Sequence, residues 1–361
     1  MTEQDFLPQE YSGRATEGEV TWQSPSNIAL VKYWGKLDNQ IPANPSISFT
    51  LNNCRTTTTL RYSKKEKAAT DFDFELYFEK EKKESFKPKI QKFFERTFEY
   101  LPFLKDYKFT IETSNSFPHS SGIASSASGM SALALCLMSL EKELDPTMDN
   151  EFFTKKASFL ARLGSGSACR SIEGELVVWG ENEEIKGSSN LFGLKYPYAV
   201  LEVFQNYQDT ILLVDKGEKQ VSSTVGHSLM EEHPYAERRF AQAHENLGKL
   251  KQILKKGDLE EFIKVVESEA LTLHAMMMTS QPYFLLMKPN TLAIIEKIFR
   301  FRKETGSHLC FTLDAGANVH VLYPEKEKEE VLQFIKTELA QHCDKGQFIE
   351  DHTGMGAKKL A

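Results

Sequence analysis

The most constraining feature of the sequence is a stretch poor in charge and rich in Ser, Gly and Ala. It covers residues 115–129 and reads NSFPHSSGIASSASG. It follows a strand-like run at residues 107–112 and precedes an apolar run at residues 130–140 with helical spacing. The stretch therefore opens a helix, whose first amides lack an intrahelical acceptor and attract anions. This predicts a phosphate site, although a helix start packed tightly against a sheet has the same composition. No Gly-Lys-Ser/Thr follows, so it is not a Walker A loop.

Length and composition narrow the class of protein. A chain of 361 residues is long enough for two domains, and its net charge of −7 argues against a nucleic-acid surface. The longest apolar run, residues 132–138, is too short to span a bilayer, and residues 1–18 predict a flexible leader without signal-peptide features. The nine histidines show no metal-ligand spacing. The five cysteines form no CxxC pair, which favours reduced thiols in a cytosolic protein: Cys54, Cys136, Cys169, Cys310 and Cys343.

Hydrophobic spacing predicts the remaining elements. Strands are expected at residues 309–313 and 319–323, and residues 187–196 read as a linker. His274 lies in one of the predicted helices and receives no role, because a lone helical histidine is more often structural. The predicted helices cover residues 87–100, 151–163, 236–256, 259–277, 290–303 and 326–342.

Three further stretches carry charged side chains in unusual places. Lys32 and Lys36 flank Trp34 and can face a phosphorylated ligand, or they can be snorkelling lysines at a strand end. Arg170 lies in a second small-residue loop, residues 164–171, where a guanidinium can hold a carboxylate or phosphate; a tight turn with a surface arginine is the alternative. Asp314 lies between two apolar strands, where burial of an unpaired carboxylate costs free energy. The carboxylate therefore has a functional role or forms an Asx-turn.

Taken together, these stretches resemble the GHMP small-molecule kinase superfamily and, within it, the diphosphomevalonate decarboxylases. The resemblance implies an α+β GHMP kinase fold with a ribosomal-S5-domain-2-like N-terminal domain at residues 19–196. A ferredoxin-like C-terminal domain at residues 197–361 is expected to carry the catalytic Asp. The stretches that carry the resemblance occur in the family's order: residues 27–36, 44–51, 118–129, 164–171, 221–224 and 314–318.

The family reaction consumes ATP and converts (R)-5-diphosphomevalonate into isopentenyl diphosphate, ADP, phosphate and carbon dioxide, with Mg²⁺ as cofactor. By resemblance, Asp314 orients or deprotonates the 3-hydroxyl, Lys32 keeps that carboxylate ionised, and Arg170, supported by Asn27, fixes the substrate carboxylate. The substrate-binding set is Tyr33, Lys36, Ser165, Ser167, Arg170 and Ser223. The ATP-binding set is Ser120, Ser121, Gly122, Ala124, Ser125 and Ser126, of which Ser126 also touches Mg²⁺.

The sequence departs from the family pattern at three places. Ala317 replaces a proline, and residues 119–123 read HSSGI where TAAGL is common. Lys87 and Lys89 stand where an arginine for the terminal phosphate is expected, which leaves a 5-monophosphate substrate open. A phosphomevalonate decarboxylase, a mevalonate 3-kinase, another GHMP kinase and a non-catalytic metabolite sensor are the alternatives. The resemblance further implies a cytoplasmic homodimer that binds small molecules, not nucleic acid or membrane.

Overall fold

The computed structural model describes residues 1–67, 70–118, 123–216 and 223–361, with the backbone alone at residues 223 and 224. Within these ranges the strands form one eight-stranded and one four-stranded sheet, and helices cover both, which agrees with the predicted α+β class. None of the helices in these ranges combines the length and apolarity that a membrane crossing requires. The five cysteines are all buried free thiols.

The first sheet is organised around two long antiparallel strands, β1 and β2, which occupy its centre together with β5. Its order is β12-β1-β2-β5-β3-β4, while β6 pairs with the first part of β2 and β7 pairs with β6. The strands are β1 (Glu17–Val31), β2 (Ser46–Lys64), β3 (Asp73–Phe78), β4 (Glu81–Lys82), β5 (Tyr107–Asn115), β6 (Leu176–Trp179), β7 (Leu194–Lys195) and β12 (Lys358–Lys359). β7 lies inside the predicted linker at residues 187–196, because its backbone completes the edge of β6. β1 has register shifts between Pro25 and Asn27 and between Ala29 and Val31, and such irregularities re-aim side chains near functional sites.

Three helices bury the apolar face of this sheet: α1 (Lys87–Thr97), α2 (Ser125–Leu144) and α3 (Asn150–Gly164). α2 begins at Ser125, as the small-residue stretch predicts, and its side chains are almost all buried against β1 and β2. The predicted flexible leader differs from the structure. Phe6 is fully buried and its ring stacks on Phe159 at a centroid distance of 4.3 Å. Burial of an aromatic side chain is favourable, and it holds this part of the N-terminal segment against the core.

The second sheet is antiparallel with the order β11-β8-β10-β9. Its strands are β8 (Gln208–Leu212), β9 (Cys310–Leu313), β10 (Val319–Tyr323) and β11 (Phe348–His352). Its helices are α4 (Ser223–Ser228), α5 (Ala236–Lys256), α6 (Leu259–Thr279), α7 (Pro289–Thr305) and α8 (Lys328–Phe334). Residues 326–342 are helical throughout, as predicted, but the helix is not uniform: α8 follows a 3-10 turn (Glu325–Glu327) and continues as a wider π turn (Ile335–Leu339) and a 3-10 turn (Ala340–His342). The wider turn leaves both Ile335 and Leu339 buried, a local adjustment that sequence spacing does not reveal.

The two sheets are joined by the C-terminal segment. Asp351, on β11, accepts hydrogen bonds from the backbone amides of Asn52, Asn53 and Cys54 on β2, at 2.9, 2.8 and 2.7 Å. The last strand, β12 (Lys358–Lys359), then returns to pair with β1. A carboxylate that accepts three amide hydrogen bonds fixes the relative position of the sheets. The boundary between residues 196 and 197 stays a prediction.

Candidate active site

A cleft of about 600 Å³ opens between the helices of the two sheets. Its walls come from the end of β1, from α1, from the start of α2, from the loop after α3 and from the second sheet. The side chains that matter for its chemistry are Lys32, Tyr33, Lys36, Lys89, Lys92, Arg96, Ser125, Ser126, Ser165, Ser167, Arg170, His227 and Asp314. The cleft therefore combines a high density of cations with hydroxyl groups and one carboxylate.

Lys32 and Asp314 form an ion pair across the cleft, with Lys32 Nζ 3.2 Å from Asp314 Oδ1. Lys32 follows the last residue of β1, and Asp314 follows the last residue of β9, so two sheets supply the pair. The Lys32 side chain is 1% exposed and the Asp314 side chain is 32% exposed. Burial lowers the pKa of Lys32, while the charge and hydrogen bond of Asp314 oppose that shift.

Arg170 is buried in the floor of the cleft. Its Nη1 donates to Ser46 Oγ, and its Nη2 lies 3.5 Å from Asn27 Oδ1. Its Nε is buried without a hydrogen-bond partner in the part of the chain that the structure describes. Burial lowers the pKa of Arg170, and no described carboxylate lies within ion-pair distance of it. A buried guanidinium with an unsatisfied N–H group and no paired carboxylate among the described residues favours an anionic ligand.

Asn27 holds the loop that carries Arg170. Its Nδ2 donates to Ser171 Oγ at 2.8 Å and to the Ser167 carbonyl at 3.2 Å. The register shift of β1 next to Asn27 turns this side chain toward the loop. The predicted neighbours Asn27 and Arg170 are thus together in the structure.

The start of α2 faces the cleft beside the second small-residue loop. Ser126 Oγ lies 3.4 Å from Ser165 Oγ, so the two loops meet through their hydroxyl groups. Ala124, just before the helix, has a left-handed backbone with φ 38°. A left-handed backbone at a residue with a side chain costs about 1–2 kcal/mol. Backbone strain of this kind is common in turns at functional sites. Three predicted ATP-binding residues, Ser120, Ser121 and Gly122, lie outside the described residues, and so does the side chain of Ser223.

Tyr33, Lys36, Ser165 and Ser167 line the cleft, as predicted for substrate-binding residues. Of the two lysines that stand in for the expected arginine, Lys89 lines the cleft and Lys87 pairs with Glu84 at 3.1 Å.

Sequence reasoning missed two cations on α1, Lys92 and Arg96, which line the same cleft. Their spacing from Lys89, three and then four residues, marks one helix face and is the signal that reveals them. Burial lowers the pKa of Lys36, and the charges of Arg96 and Lys92 lower it further. No carboxylate in the described ranges forms an ion pair with Lys36, Lys92 or Arg96. Their mutual repulsion marks this end of the cleft as a site for a polyanion.

His227 is a third residue that sequence reasoning missed. It lies on α4, its Nδ1 accepts the Gly35 amide at 3.0 Å, and its ring is 4.1 Å from that of Tyr33. Gly35 has φ 96°, and a side chain there would collide with Phe240, which explains the glycine between Trp34 and Lys36. Burial lowers the pKa of His227 to about 3, so the ring is neutral and structural at ordinary pH. No local sequence signal links it to Tyr33.

An apolar cavity of about 190 Å³ adjoins the start of α2. Ser125 and Ser126 belong to its lining and to that of the cleft, so the two spaces share one wall. Its other lining residues are mainly apolar, with Thr and Asn side chains and one lysine among them: Thr56, Thr58, Leu76, Phe78, Phe86, Lys89, Ile90, Ile111, Thr113, Asn115, Gly129, Met130 and Leu133.

The fold and cleft together define a class of protein. A two-sheet α+β chain in which a small-residue helix start shares a cleft with a lysine–aspartate pair is an enzyme of the GHMP small-molecule kinase class. Comparisons with known proteins give the family. The model of the diphosphomevalonate decarboxylase-like N-terminal domain matches residues 24–191. The model of the mevalonate 5-diphosphate decarboxylase C-terminal domain matches residues 210–360.

Individual relatives agree with these two matches. Diphosphomevalonate decarboxylase from Gibberella zeae is 30% identical over 326 residues, covering 86% of this chain and 82% of that protein. Mevalonate diphosphate decarboxylase from Staphylococcus aureus has a TM-score of 0.81 at 27% identity, covering 96% of this chain and 99% of that chain. A structure of MDDEF in complex with MVAPP, AMPPCP and magnesium has a TM-score of 0.80 at 27% identity, with the same coverage.

The chain belongs to the diphosphomevalonate decarboxylase family. The predicted family, the α+β GHMP kinase fold and the ATP-dependent decarboxylase activity are confirmed. The roles of individual residues stay predictions.

Proposed function

We propose that this chain decarboxylates (R)-5-diphosphomevalonate at the expense of ATP, through the residues that line the cleft. One observation supports the roles that we assign to these residues. The Lys32–Asp314 pair, the buried Arg170 and the start of α2 all face one cleft, although they lie far apart in the sequence. These are the groups that phosphoryl transfer and carboxylate departure need together.

In the first step, the substrate 3-hydroxyl oxygen attacks the γ-phosphorus of ATP, the bond to ADP breaks, and the hydroxyl proton passes to Asp314. Among the described residues that line the cleft, Asp314 is the only carboxylate, and its partial exposure leaves it accessible to a substrate hydroxyl. Lys32 keeps that carboxylate ionised and neutralises charge on the transferring phosphoryl group.

In the second step, the C3–O bond breaks and the new phosphate leaves. The electron pair of the C1–C2 bond becomes the C2=C3 double bond, and C1 departs as carbon dioxide. Arg170 holds the C1 carboxylate, and its unsatisfied Nε and fixed Nη groups suit a planar anion. Asn27 and Ser46 fix the guanidinium, so this orientation is set before substrate binds.

ATP is placed with its phosphates at the start of α2 and its base in the adjoining apolar cavity. The amides of Ser125 and Ser126 begin the helix, where anions bind. The lining of this cavity is mainly apolar, which suits a flat aromatic base, and its Thr and Asn side chains offer hydrogen-bonding groups.

The residues present fit a Mg²⁺ ion that is held mainly by phosphate oxygens. Mg²⁺ prefers oxygen ligands and usually keeps few protein ligands beside substrate phosphates. The described residues contain no cluster of three or more acidic, His or Cys side chains, so Ser126 is the ligand proposed from the chain. Mg²⁺ held there would supply positive charge that offsets the negative charge of the ATP phosphates. The related MDDEF complex, which contains AMPPCP and magnesium, supports this proposal.

The 5-diphosphate is assigned to the cationic end of the cleft, where the cations are Lys36, Lys89, Lys92 and Arg96. Burial lowers the pKa of Lys36, and the like charges of Arg96 and Lys92 nearby lower it further, as expected for cations that repel one another. A diphosphate offsets this repulsion better than a monophosphate because it carries more charge over a longer span. The hydroxyl groups proposed to assist there belong to Tyr33, Ser165, Ser167 and Ser223.

A product assay with purified protein tests the proposal. Release of ADP and of carbon dioxide is measured with ATP and either 5-phosphomevalonate or 5-diphosphomevalonate. We expect equal release of both products and a higher kcat/KM with the diphosphate. ADP release without carbon dioxide would identify a kinase, preference for the monophosphate would reverse the substrate assignment, and no ATP consumption with any mevalonate derivative would favour a sensor. The homodimer and the cytoplasmic location are also proposed from the family resemblance, and are tested by sedimentation and by cell fractionation.

A further inference from the structure

Lys32 is held by its backbone as well as by its side chain. It follows the end of β1 and therefore lacks the ladder partners of a strand residue. Its amide donates to Glu269 Oε2 at 2.9 Å, and its carbonyl accepts from Arg239 Nη2 at 3.0 Å and from Asn44 Nδ2 at 2.9 Å. Both peptide groups that flank the Lys32 side chain are thereby fixed.

Glu269 is the centre of this arrangement. It is fully buried on α6, and both of its carboxylate oxygens are used. Arg239 Nη1 and Nη2 donate to Oε1 and Oε2 at 3.1 and 2.6 Å, and Asn246 Nδ2 donates to Oε1 at 2.6 Å. A buried ion pair with this number of hydrogen bonds is rigid, and Glu269 and Arg239 both belong to helices of the second sheet. This ion pair therefore fixes the position of Lys32, which follows a strand of the first sheet, relative to the helices of the second sheet.

The same helix also holds the backbone of Asp314. His274, five positions after Glu269 on α6, is 1% exposed, and its Nε2 lies 3.1 Å from the Asp314 carbonyl oxygen. A carbonyl only accepts, so Nε2 carries the hydrogen. Burial lowers the pKa of His274 to about 4, which keeps the ring neutral at ordinary pH.

We propose that α6 sets the geometry of the Lys32–Asp314 pair through two positioning residues, Glu269 acting on the Lys32 backbone and His274 acting on the Asp314 backbone. The inference rests on the proposed function, in which this pair acts in phosphoryl transfer. Because the two catalytic side chains come from different sheets, a small shift between the sheets separates them unless one element holds both. Helix α6 is that element.

The chain offers a matched control on the same helix. Glu267 is also largely buried, and it pairs with Arg302 through Nη1 and Nη2 at 2.7 and 3.1 Å. It has the chemistry of Glu269, but within the described part of the chain its hydrogen bonds reach no residue of the cleft. A purely structural role for Glu269 predicts that Glu267→Gln and Glu269→Gln behave alike.

The experiment compares kcat, KM for ATP and Tm in Glu269→Gln, Glu269→Asp and Glu267→Gln. We expect Glu269→Gln to lower kcat about 10²-fold while KM for ATP changes by no more than about threefold, because misplacement by an ångström has such effects. Glu269→Asp keeps the charge but is one methylene shorter, and its kcat should lie between wild type and Glu269→Gln. Glu267→Gln should lower Tm and leave kcat unchanged. Equal kcat in the folded Glu269 and Glu267 variants would overturn the proposal.

His274 gives an independent arm that does not depend on the folding of the Glu269 variants. His274→Leu should lower kcat, and His274→Gln, which retains an N–H donor, should restore much of it. If neither variant changes kcat, the role of His274 is refuted. Asp314→Asn distinguishes failure of the positioning role of α6 from failure of the catalytic role proposed for the pair. If Asp314→Asn is inactive while the Glu269 and His274 variants are normal, only the positioning role fails, whereas an active Asp314→Asn removes the catalytic role proposed for the Lys32–Asp314 pair.

Discussion

Replacement of Asp314 by asparagine is the most direct test of the chemistry. The substitution preserves shape and removes the charge 3.2 Å from Lys32 Nζ. At that distance two unit charges interact by about 5 kcal/mol at an effective dielectric constant near 20, an upper bound because Asp314 is one-third exposed. Loss of a general base alone typically costs about 10²–10⁴-fold. We therefore expect kcat to fall about 10³-fold, equivalent to about 4 kcal/mol.

The assay is single-turnover and steady-state ADP release, with KM for ATP measured in parallel. Because Asp314 opposes the depression of the Lys32 pKa, its removal should also move the deprotonation of Lys32 to lower pH. Asp38→Asn, which removes an exposed carboxylate outside the cleft, is the control and should retain wild-type kcat. A kcat within about threefold of wild type in folded Asp314→Asn would refute the assignment of the base.

Three other perturbations give distinct readouts. Arg170→Gln should lower kcat by about 10²–10³-fold with little change in KM for ATP, and a collapse of ATP binding would show that Arg170 is misassigned. Lys92→Gln combined with Arg96→Gln should raise KM for 5-diphosphomevalonate by about 10–100-fold, whereas Lys87→Gln on the same helix should not; equal KM values would exclude a role for this helix face. His227→Gln tests a pH effect on stability. The unfolded chain protonates His227 below its ordinary pKa of 6.5, while the folded protein, with a pKa of about 3, does not. Its stabilising contribution is therefore complete above pH 6.5 and is lost as pH falls, by about 2 kcal/mol at pH 5. Urea unfolding at about pH 7.5 and pH 5 should show a smaller acid loss in His227→Gln than in wild type, and identical losses would contradict the assigned burial.

Local periodicity located elements well where one face of the element is buried throughout. α5 (Ala236–Lys256) and β10 (Val319–Tyr323) have the ends that hydrophobic spacing predicts. The same reasoning predicted the helix at residues 326–342 but not its wider turn at Ile335–Leu339, which depends on the surface against which the helix packs. It also gave no reason for Phe6 to be buried, because the partner, Phe159, is distant in sequence.

In the candidate site, too, the sequence identifies some residues, whereas the packing alone decides the place of others. Lys32, Arg170 and Asp314 were identifiable because each is a charged residue in a small-residue or apolar context, and the family motifs name them. Lys92 and Arg96 have a helical spacing that identifies a common face, but only the packing of α1 beside the cleft decides what that face meets. Spacing along the chain carries no such information.

By itself the sequence determined the family, the α+β class and the charged residues from which the cleft is built, because motif order and periodicity are properties of the chain. Only the tertiary structure decided that Lys32 Nζ and Asp314 Oδ1 meet at 3.2 Å, and that Glu269 and His274 on α6 bond to the backbone on either side of that pair. These contacts join residues between 40 and 282 positions apart. Their geometry is set by how two sheets pack around one helix, and no local pattern encodes that packing.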